Sequence, residues 1–245
     1  MRPKFSSLLR SLSLMTALVG GGLLGGGLMM PLPAVALSEE AIVDKLGQVP
    51  VFVILNSDGQ PLTAAAEIDD QEVKVPVVFI DGGAAEEFLA RAQEEDPSAQ
   101  VALVDLGTLY QETVLSSEEQ VPLLYLPIGE ELETAIALES DFQGVPLFIA
   151  RQGAEGPYLT INQDGEASLP MFFSRDDLQT LLDRYEETNA AAADDIVVQV
   201  LSLEWLLSMM TSNSDPDLDA QLNQVRLFPS TEVLDYIRAE AEQPE

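Results

Sequence analysis

Apolar residues along the chain fall into a pattern that occurs twice. The run Val49-Pro50-Val51-Phe52 is followed 26 residues later by Val75-Pro76-Val77-Val78-Phe79. The run Val145-Pro146-Leu147-Phe148 is followed 24 residues later by Leu169-Pro170-Met171-Phe172-Phe173. Self-similarity at a fixed spacing is typical of a duplicated structural unit. The pattern therefore predicts two related halves, at about residues 37–128 and 129–245.

Each half is predicted to start with an amphipathic helix. In the first half Ser38 is the predicted N-cap, and the apolar stripe is formed by Ile42, Val43 and Leu46. The counterpart is predicted at residues 131–142. Its residues expected to face inward are Leu132, Ala135, Ile136 and Phe142.

A three-stranded meander is predicted next in each half. Its strands are residues 51–55, 61–66 and 73–80 in the first half, and 147–151, 158–161 and 167–173 in the second. Asp58-Gly59 and Asp164-Gly165 are strong turn signals, because these residue types accept positive φ. The two signals join different strands, and neither is followed by the remaining ligands of a calcium loop. Both are therefore interpreted as turns.

The rest of the pattern also pairs between the halves. Apolar stripes and short apolar runs predict further elements. These are helices at 85–92 and 178–185, strands at 101–106 and 196–201, helices from near 107 and 202, strands at 123–126 and 225–228, and a last helix at 230–240. Residues 188–195 and 211–219 are predicted loops. The predicted fold class is α+β, with two pseudo-symmetric halves in one domain, each containing a helix, a three-stranded meander and further helices and strands.

The first 36 residues have the form of a secretory signal peptide. Arg2, Lys4 and Arg10 make a basic start, an apolar stretch follows, and Ala34-Val35-Ala36 is a small-x-small cleavage pattern. An uncleaved anchor is the alternative, because the apolar stretch is close to the lower length limit for a membrane span. We expect cleavage, a mature chain that starts near Leu37 outside the cytoplasm, and no membrane insertion afterwards.

Composition excludes several kinds of chemistry. The chain contains no cysteine and no histidine, which excludes disulfides, cysteine and serine–histidine nucleophiles, and ordinary zinc sites. Beyond residue 36, eight Lys and Arg residues stand against 42 Asp and Glu residues, a net charge of −34. Nucleic acid is therefore not an expected partner, because its binding requires basic residues. The acidity is expected either to steer basic partners or to serve solubility alone.

Two carboxylates are the least generic candidates for catalysis. Asp81 and Asp105 each follow an apolar strand, and strand ends often hold active carboxylates. Neither is repeated in the other half, where Arg175 and Leu201 occupy the aligned positions. The alternative is helix capping, which favours Asp. Capping is the preferred interpretation, so no catalytic, cofactor-binding or metal-binding residue is expected.

A dense apolar segment near residue 205 is the candidate binding surface. Its apolar side chains fall on nearly every helical face, and methionine is common on adaptable binding surfaces. The residues proposed to contact an apolar partner are Trp205, Leu206, Met209 and Met210. The alternative is a helix that is buried on all sides. The prolines at Val49-Pro50 and Val145-Pro146 additionally suggest edge strands, which can accept a peptide by strand addition, although proline equally serves to block such pairing.

Several of these motifs together resemble a known family. They are Lys45-Leu46-x-x-Val49-Pro50-Val51-Phe52, Gly144-Val145-Pro146-Leu147-Phe148, Tyr158-Leu159-Thr160-Ile161, Pro170-Met171-Phe172-Phe173 and Asp176-Asp177-Leu178-Gln179. With the signal peptide, their order resembles the 22-kDa chloroplast inner-envelope translocon component family, particularly its cyanobacterial members. The resemblance covers essentially the whole mature chain.

The resemblance implies a two-halved α+β fold with apolar pockets and no cofactor. It also implies an exported, chaperone-like transport factor of the periplasm, the thylakoid lumen or both. The implied partners are unfolded precursor or outer-membrane proteins, and translocation machinery related to outer-membrane β-barrel assembly. The family's pocket residues form no short motif, so none is assigned by position.

Two other functions remain compatible with the same residues. An acidic docking or scaffold module for a membrane assembly machine would use the charge, and its binding would weaken with salt. A hydrolase of cell-wall sugars would need two carboxylates about 5–10 Å apart in an aromatic-lined cleft.

Cleavage of the predicted signal peptide after Ala36 can be tested directly. Amino-terminal sequencing of the protein from the exported fraction is expected to start at Leu37. Substituting both Ala34 and Ala36 by leucine should block cleavage, because signal peptidase requires small residues there. A mature protein that keeps residues 1–36 would instead support the uncleaved anchor.

Overall fold

Two five-stranded sheets form the framework of the protein. The structure is a computed structural model that describes residues 37–242, apart from 69–70, 116–121, 164, 194 and 213–214. The predicted signal peptide lies outside the described residues.

The elements of the two halves follow one another in a similar order. The first half contains α1 (Glu39–Leu46), β1 (Pro50–Leu55), β2 (Thr63–Ile68), β3 (Gln71–Phe79), α2 (Gly82–Glu95), β4 (Gln100–Asp105), α3 (Leu106–Tyr110) continued by a π-helical turn (Gln111–Leu115), and β5 (Leu124–Leu126). The second contains α4 (Gly129–Leu138), β6 (Pro146–Gln152), β7 (Ile161–Gln163), β8 (Glu166–Phe172), α5 (Arg175–Ala193), β9 (Ile196–Ser202), α6 (Leu203–Ser212), α7 (Pro216–Gln224), β10 (Val225–Phe228) and α8 (Thr231–Ala241).

The two sheets share one topology. In the first the strand order is β2-β3-β1-β4, with β5 parallel to β3. In the second the order is β10-β8-β6-β9, with β10 parallel to β8 and β7 paired to β8. The other pairings are antiparallel in both sheets. The α+β class is confirmed, and the matching topology is what a duplicated unit would produce.

The strands predicted as a meander are arranged differently from their chain order. β3 pairs with both β2 and β1, and only an isolated bridge, Leu55 to Pro61, joins β1 directly to the segment that follows it. Next to this bridge, the Leu62 N–H donates to Ile54 O on β1, and the Leu62 carbonyl accepts from Val77 N on β3. Beyond Leu62, β1 pairs directly with β3, and Phe52 lies opposite Phe79. Direct pairing brings the two aromatic side chains together on one face of the sheet.

The Val-Pro strands are central, which corrects the expectation that they are edges. β1 lies between β3 and β4, and β6 lies between β8 and β9. Pro50 and Pro146 are the first residues of their strands, where a missing N–H is tolerated. Strands β4 and β9 each end a sheet.

Both faces of the central strands β1 and β6 are buried. In β1, Val51 and Val53 face a central core, whereas Phe52 and Ile54 face an outer cluster. The same alternation continues in β6, where Leu147 faces the central core and the next residue faces the second outer cluster. The central core contains residues from both sheets and from α1, α3, α6 and α7. Burial on both faces explains why these strands read as unbroken apolar runs.

The outer clusters are covered by helices, and one of these helices comes from the other half of the chain. α4 covers the second sheet, with Ala135 buried beside Phe148 in its cluster. α8, at the end of the chain, covers the first sheet, and its Tyr236 ring packs edge-on against Phe52 at 5.5 Å. The C-terminal helix therefore completes the core of the first half.

Several helix boundaries differ from the prediction. α4 ends at Leu138, so Phe142 lies beyond it, and Ile136 is 44% exposed where an inward position was expected. The predicted loop at 188–195 is largely helical, since α5 continues to Ala193 past a non-helical Asn189. The predicted loop at 211–219 contains the end of α6 and the start of α7, whose proline-containing first turn is capped by Asp215. Alanine-rich sequence and a capped proline both favour helix.

The close approach of α3 to α1 makes a prediction about stability. A Cβ at Gly107 would lie 2.7 Å from the Gly47 nitrogen and closer still to the Val43 carbonyl oxygen. Because both neighbours are backbone, Gly107→Ala should lower the free energy of unfolding by about 2 kcal/mol or more. Gly129→Ala is the matched control, since no atom of the described residues lies within 4 Å of its Cβ position. Urea unfolding followed by circular dichroism measures both, and equal midpoints would contradict the predicted clash.

Candidate functional site

The predicted apolar surface on α6 is only partly exposed. Leu206 and Met210 are fully buried in the central core, so they do not belong to a surface in the folded chain. Met209 is half-buried against the same core, and Trp205 is 39% exposed. The prediction is corrected for the first two residues because the core of both halves covers that side of α6. Binding of a partner by Trp205 and Met209 stays a prediction.

Large apolar side chains besides Trp205 are also exposed, and none of them was assigned to a surface from the sequence. Together with Trp205, those at least 38% exposed are Phe88, Leu103, Leu124, Ile136, Leu138 and Val197. Phe88 is partly satisfied by neighbours, with its ring 5.1 Å from that of Phe79 and the Arg91 guanidinium 5.2 Å from it.

Four of these seven side chains belong to one strand and its two adjoining helices. Val197 lies on β9, Ile136 and Leu138 lie on α4, which packs against β9, and Trp205 lies on α6, which follows β9 directly. We call β9, α4 and α6 together the β9 margin. The sequence signal for it was weak, since an apolar run such as residues 135–138 fits a buried helix equally well.

The β9 margin lies in two stretches of the chain whose only charged residues are acidic. No lysine or arginine occurs between Arg91 and Arg151, which includes α4, or between Arg184 and Arg226, which includes β9 and α6. Both stretches contain many Asp and Glu residues. The exposed apolar side chains are therefore surrounded in sequence by negative charge alone.

Asp81 and Asp105 cap helices. The Asp81 carboxylate accepts hydrogen bonds from Gly83 N at 3.0 Å and Ala84 N at 3.1 Å. The Asp105 carboxylate accepts one from Thr108 N at 2.7 Å. These bonds satisfy the free N–H groups of α2 and α3, as the capping interpretation predicted.

In the second half a serine has the capping role that Asp105 has in the first. Pro50 pairs with Asp105 and Pro146 with Ser202, so Ser202, and not Leu201, corresponds to Asp105. Its hydroxyl accepts a hydrogen bond from Trp205 N at 3.1 Å. The two positions therefore share a structural role.

Glu204 is a half-buried carboxylate at the start of α6. It accepts a hydrogen bond from Val145 N, at 3.1 Å to one oxygen and 3.3 Å to the other. Gly144 has a φ of +94°, and its Cβ position would overlap the Glu204 carboxylate. Burial raises the pKa of Glu204. Burial, followed by the nearby Tyr110 and Glu204 charges, also raises the pKa of Tyr125. Glu204 therefore fixes the chain entering β6.

An open groove of about 500 Å³ runs between the halves. Its lining residues are Asp44, Lys45, Gln48, Glu166, Ala167, Ser168, Ala220, Asn223, Gln224, Val225, Arg226 and Leu227. The Lys45 ammonium donates hydrogen bonds to the carbonyl oxygens of Asn223 at 2.7 Å and Val225 at 3.0 Å. Burial lowers the pKa of Lys45. The lysine joins α1 to the end of α7, and the groove is mainly polar.

Metal binding and membrane crossing were both considered for the part of the chain that the structure describes. There, no group of three or more acidic residues is placed to hold a metal ion. Within the same residues, no helix is long and apolar enough to cross a membrane.

These features define an α+β protein in which two sheets share one core and exposed apolar side chains lie in an acidic chain. The chain belongs to the Tic22-like family, whose model matches residues 25–238. The family resemblance expected from the sequence motifs is thereby confirmed.

Two solved structures support the assignment. The structure of Anabaena Tic22, described as a protein-transport protein, is 27% identical, covers 85% of this chain and 99% of its own, and has a TM-score of 0.66. The structure of Tic22 from Plasmodium falciparum is 20% identical, covers 83% of this chain and 99% of its own, and has a TM-score of 0.60, which supports the fold. A comparison with curated proteins finds no match.

The burial of Glu204 makes a prediction about pH. Because its pKa is raised above the ordinary 4.5, the folded protein holds this proton more tightly than the unfolded chain. Ionisation should therefore lower the free energy of unfolding as the pH rises from about 4.5 towards neutrality. Glu204→Gln keeps an acceptor for Val145 N and cannot ionise, so it should lose less stability over this range.

Urea midpoints between pH 4.5 and 7 measure this difference. Glu87→Gln on α2 is the control, because it removes one exposed carboxylate. A wild-type curve that runs parallel to the Glu204→Gln curve would contradict the prediction.

Proposed function

We propose that this protein is an exported transport factor that passively holds apolar segments of precursor or outer-membrane proteins. The supporting observation is the β9 margin, where four large apolar side chains are exposed on a chain of net charge −34 beyond residue 36. Its similarity to Anabaena Tic22, described as a protein-transport protein, gives the biological direction. The proposed compartment is the periplasm, the thylakoid lumen or both.

Apolar contact and negative charge have separate roles in the proposed holding. Exposed apolar side chains gain free energy when an apolar client segment removes them from water. A strongly negative body repels further copies of itself and stays soluble while holding the client. The chain has no glycine-rich phosphate loop, so the proposed holding uses no nucleotide. We also propose that no catalysis is involved, since Asp81 and Asp105 cap helices.

A second candidate function is an acidic docking module for the outer-membrane β-barrel assembly machinery. The two long stretches without lysine or arginine favour it, because they would attract a basic partner surface. The two functions differ in their response to salt. Charge-driven docking weakens as the Debye length falls from about 30 Å at 0.01 M to about 3 Å at 1 M salt. Apolar holding does not.

Aggregation of an unfolded client tests the proposal. A urea-unfolded outer-membrane β-barrel protein, diluted with an equal molar amount of this protein, should scatter light several times more slowly at every salt concentration. The triple variant Ile136→Ser, Leu138→Ser and Trp205→Ser should lose most of this delay. These side chains are 39–50% exposed, so the fold should tolerate the changes.

The matched control replaces three exposed apolar residues of the first half, Phe88, Leu103 and Leu124, by serine. It should keep the delay. An absence of any delay by the wild-type protein across the salt series would overturn holding. A client complex that dissociates steeply with salt would instead support docking.

A further inference from the structure

The second sheet ends in a strand whose outer edge has no strand partner among the described residues. β9 pairs with β6 through all seven of its residues, from Ile196 to Ser202. The sheet order places no described strand on its other side. An unpaired edge presents N–H and C=O groups to which an extended chain can bond.

The hydrogen bonds at the two ends of this ladder show which groups face outward. Gly153 N donates to Asp195 O at 2.6 Å, and Leu203 N donates to Val145 O at 2.9 Å. In an antiparallel pair, residues bonded to the partner strand alternate with residues whose groups point away. Between these two bonds, the register directs the backbone N–H and C=O of Ile196, Val198 and Val200 away from β6.

β9 lacks the usual protection of an edge strand. Natural edges are commonly blocked by charged side chains, proline, bulges or short length. β9 has seven residues, Ile-Val-Val-Gln-Val-Leu-Ser, with no charge and no proline. The corresponding edge strand β4 ends in the charged residue Asp105, and β5 and β10 are three and four residues long, each followed by proline. By these criteria β9 is the least protected of these four strands.

The surroundings define the chemistry of the occupant. Val197 on β9, Ile136 and Leu138 on α4, and Trp205 on α6 offer exposed apolar surface beside this edge. The stretches that contain these elements carry no lysine or arginine. Arg151, which pairs with Val197 from β6, is buried, and its guanidinium donates to Gly156 O. A second copy of the chain, with its own net charge of −34, is repelled. A segment with basic flanks is attracted.

We propose that the outer edge of β9 binds an extended client segment as an added strand, apolar at alternate residues and flanked by Lys or Arg. This proposal rests on the proposed holding function and names its binding mode. The backbone groups of Ile196, Val198 and Val200 supply the hydrogen bonds. The apolar side chains of the segment share one face of the added strand and contact the exposed side chains of the β9 margin on that face.

A pair of variants isolates the backbone contribution. Val198→Pro removes an N–H that faces outward and leaves the bonds to β6 in place. Val198→Ala loses similar side-chain packing and keeps the N–H. The probe is a fluorescent decapeptide with two lysines at each end of three Val-Thr repeats. Fluorescence anisotropy with exported, purified protein should show binding weakened within about threefold by Val198→Ala and by about tenfold or more by Val198→Pro.

Modified peptides provide a test on the wild-type protein, which is independent of variant folding. In a strand, alternate N–H groups point to the same side. N-methylation of the three valines or of the three threonines should therefore have opposite results, with one peptide binding as before and the other losing binding. A peptide of the same composition with the valines and threonines grouped is the control for charge attraction, and it should bind at least about tenfold more weakly.

Several results would overturn the proposal. They are equal affinities of the two Val198 variants, equal binding of the two methylated peptides, and a wild-type dimer that Val198→Pro dissociates, since a second copy would then occupy the edge. These results are separate from the holding assay. A Val198→Pro protein that still delays client aggregation like Val198→Ala would reject strand addition and keep the proposed function. Peptide binding without any delay would reject the function instead.

Discussion

The packing of both inner sheet faces into one core supports the remaining structure. Val51 from the first sheet and Leu147 from the second belong to the same buried cluster, together with residues of α1, α3, α6 and α7. The helices α2 and α5 lie on the opposite side, in the outer clusters, so the inner faces of both sheets depend on this shared core for their burial. The C-terminal helix α8 strengthens the connection, since Val233 completes the outer cluster of the first sheet. Close backbone contacts, such as that of Gly107 with α1, follow from the same packing.

Burial distinguishes the central strands from the edge strands. β1 and β6 are buried on both faces, whereas β9 ends its sheet and exposes Val197. An edge strand with an open face can carry charged side chains that discourage pairing, yet β9 carries none. Most acidic residues lie in helices and loops, and no basic residue occurs between Arg184 and Arg226, the stretch that contains β9. The proposed binding mode uses this open apolar edge within a strongly negative chain.

Local sequence signals were sufficient to locate some helices, strands and turns and insufficient for others. Local signals located most elements, because caps such as Ser38, the Asp58-Gly59 turn and apolar runs such as residues 196–201 act over a few residues. Asp164 of the other Asp-Gly pair lies outside the described residues. Local signals were insufficient where two local preferences competed. Alanine content and a capped Pro216 produced helix in segments whose polar composition suggested loops. Pro50 and Pro146 suggested edge strands, but each is the first residue of a central strand. Both positions accept proline, because neither requires the backbone N–H that proline lacks.

The sequence by itself determined the α+β class, the repeated Val-Pro framework, the family and the absence of cysteine and histidine chemistry. Only the tertiary structure decided which apolar residues are exposed. Leu206 and Met210 share the hydrophobic pattern of Trp205, yet contacts from distant parts of the chain bury them and leave Trp205 at the surface. Ile136, expected to be inside, is exposed because Ala135 is the residue of α4 that packs into the cluster on the second sheet. Hydrophobicity is a property of a residue, whereas exposure depends on which elements pack over it, and the sequence pattern does not contain that pairing.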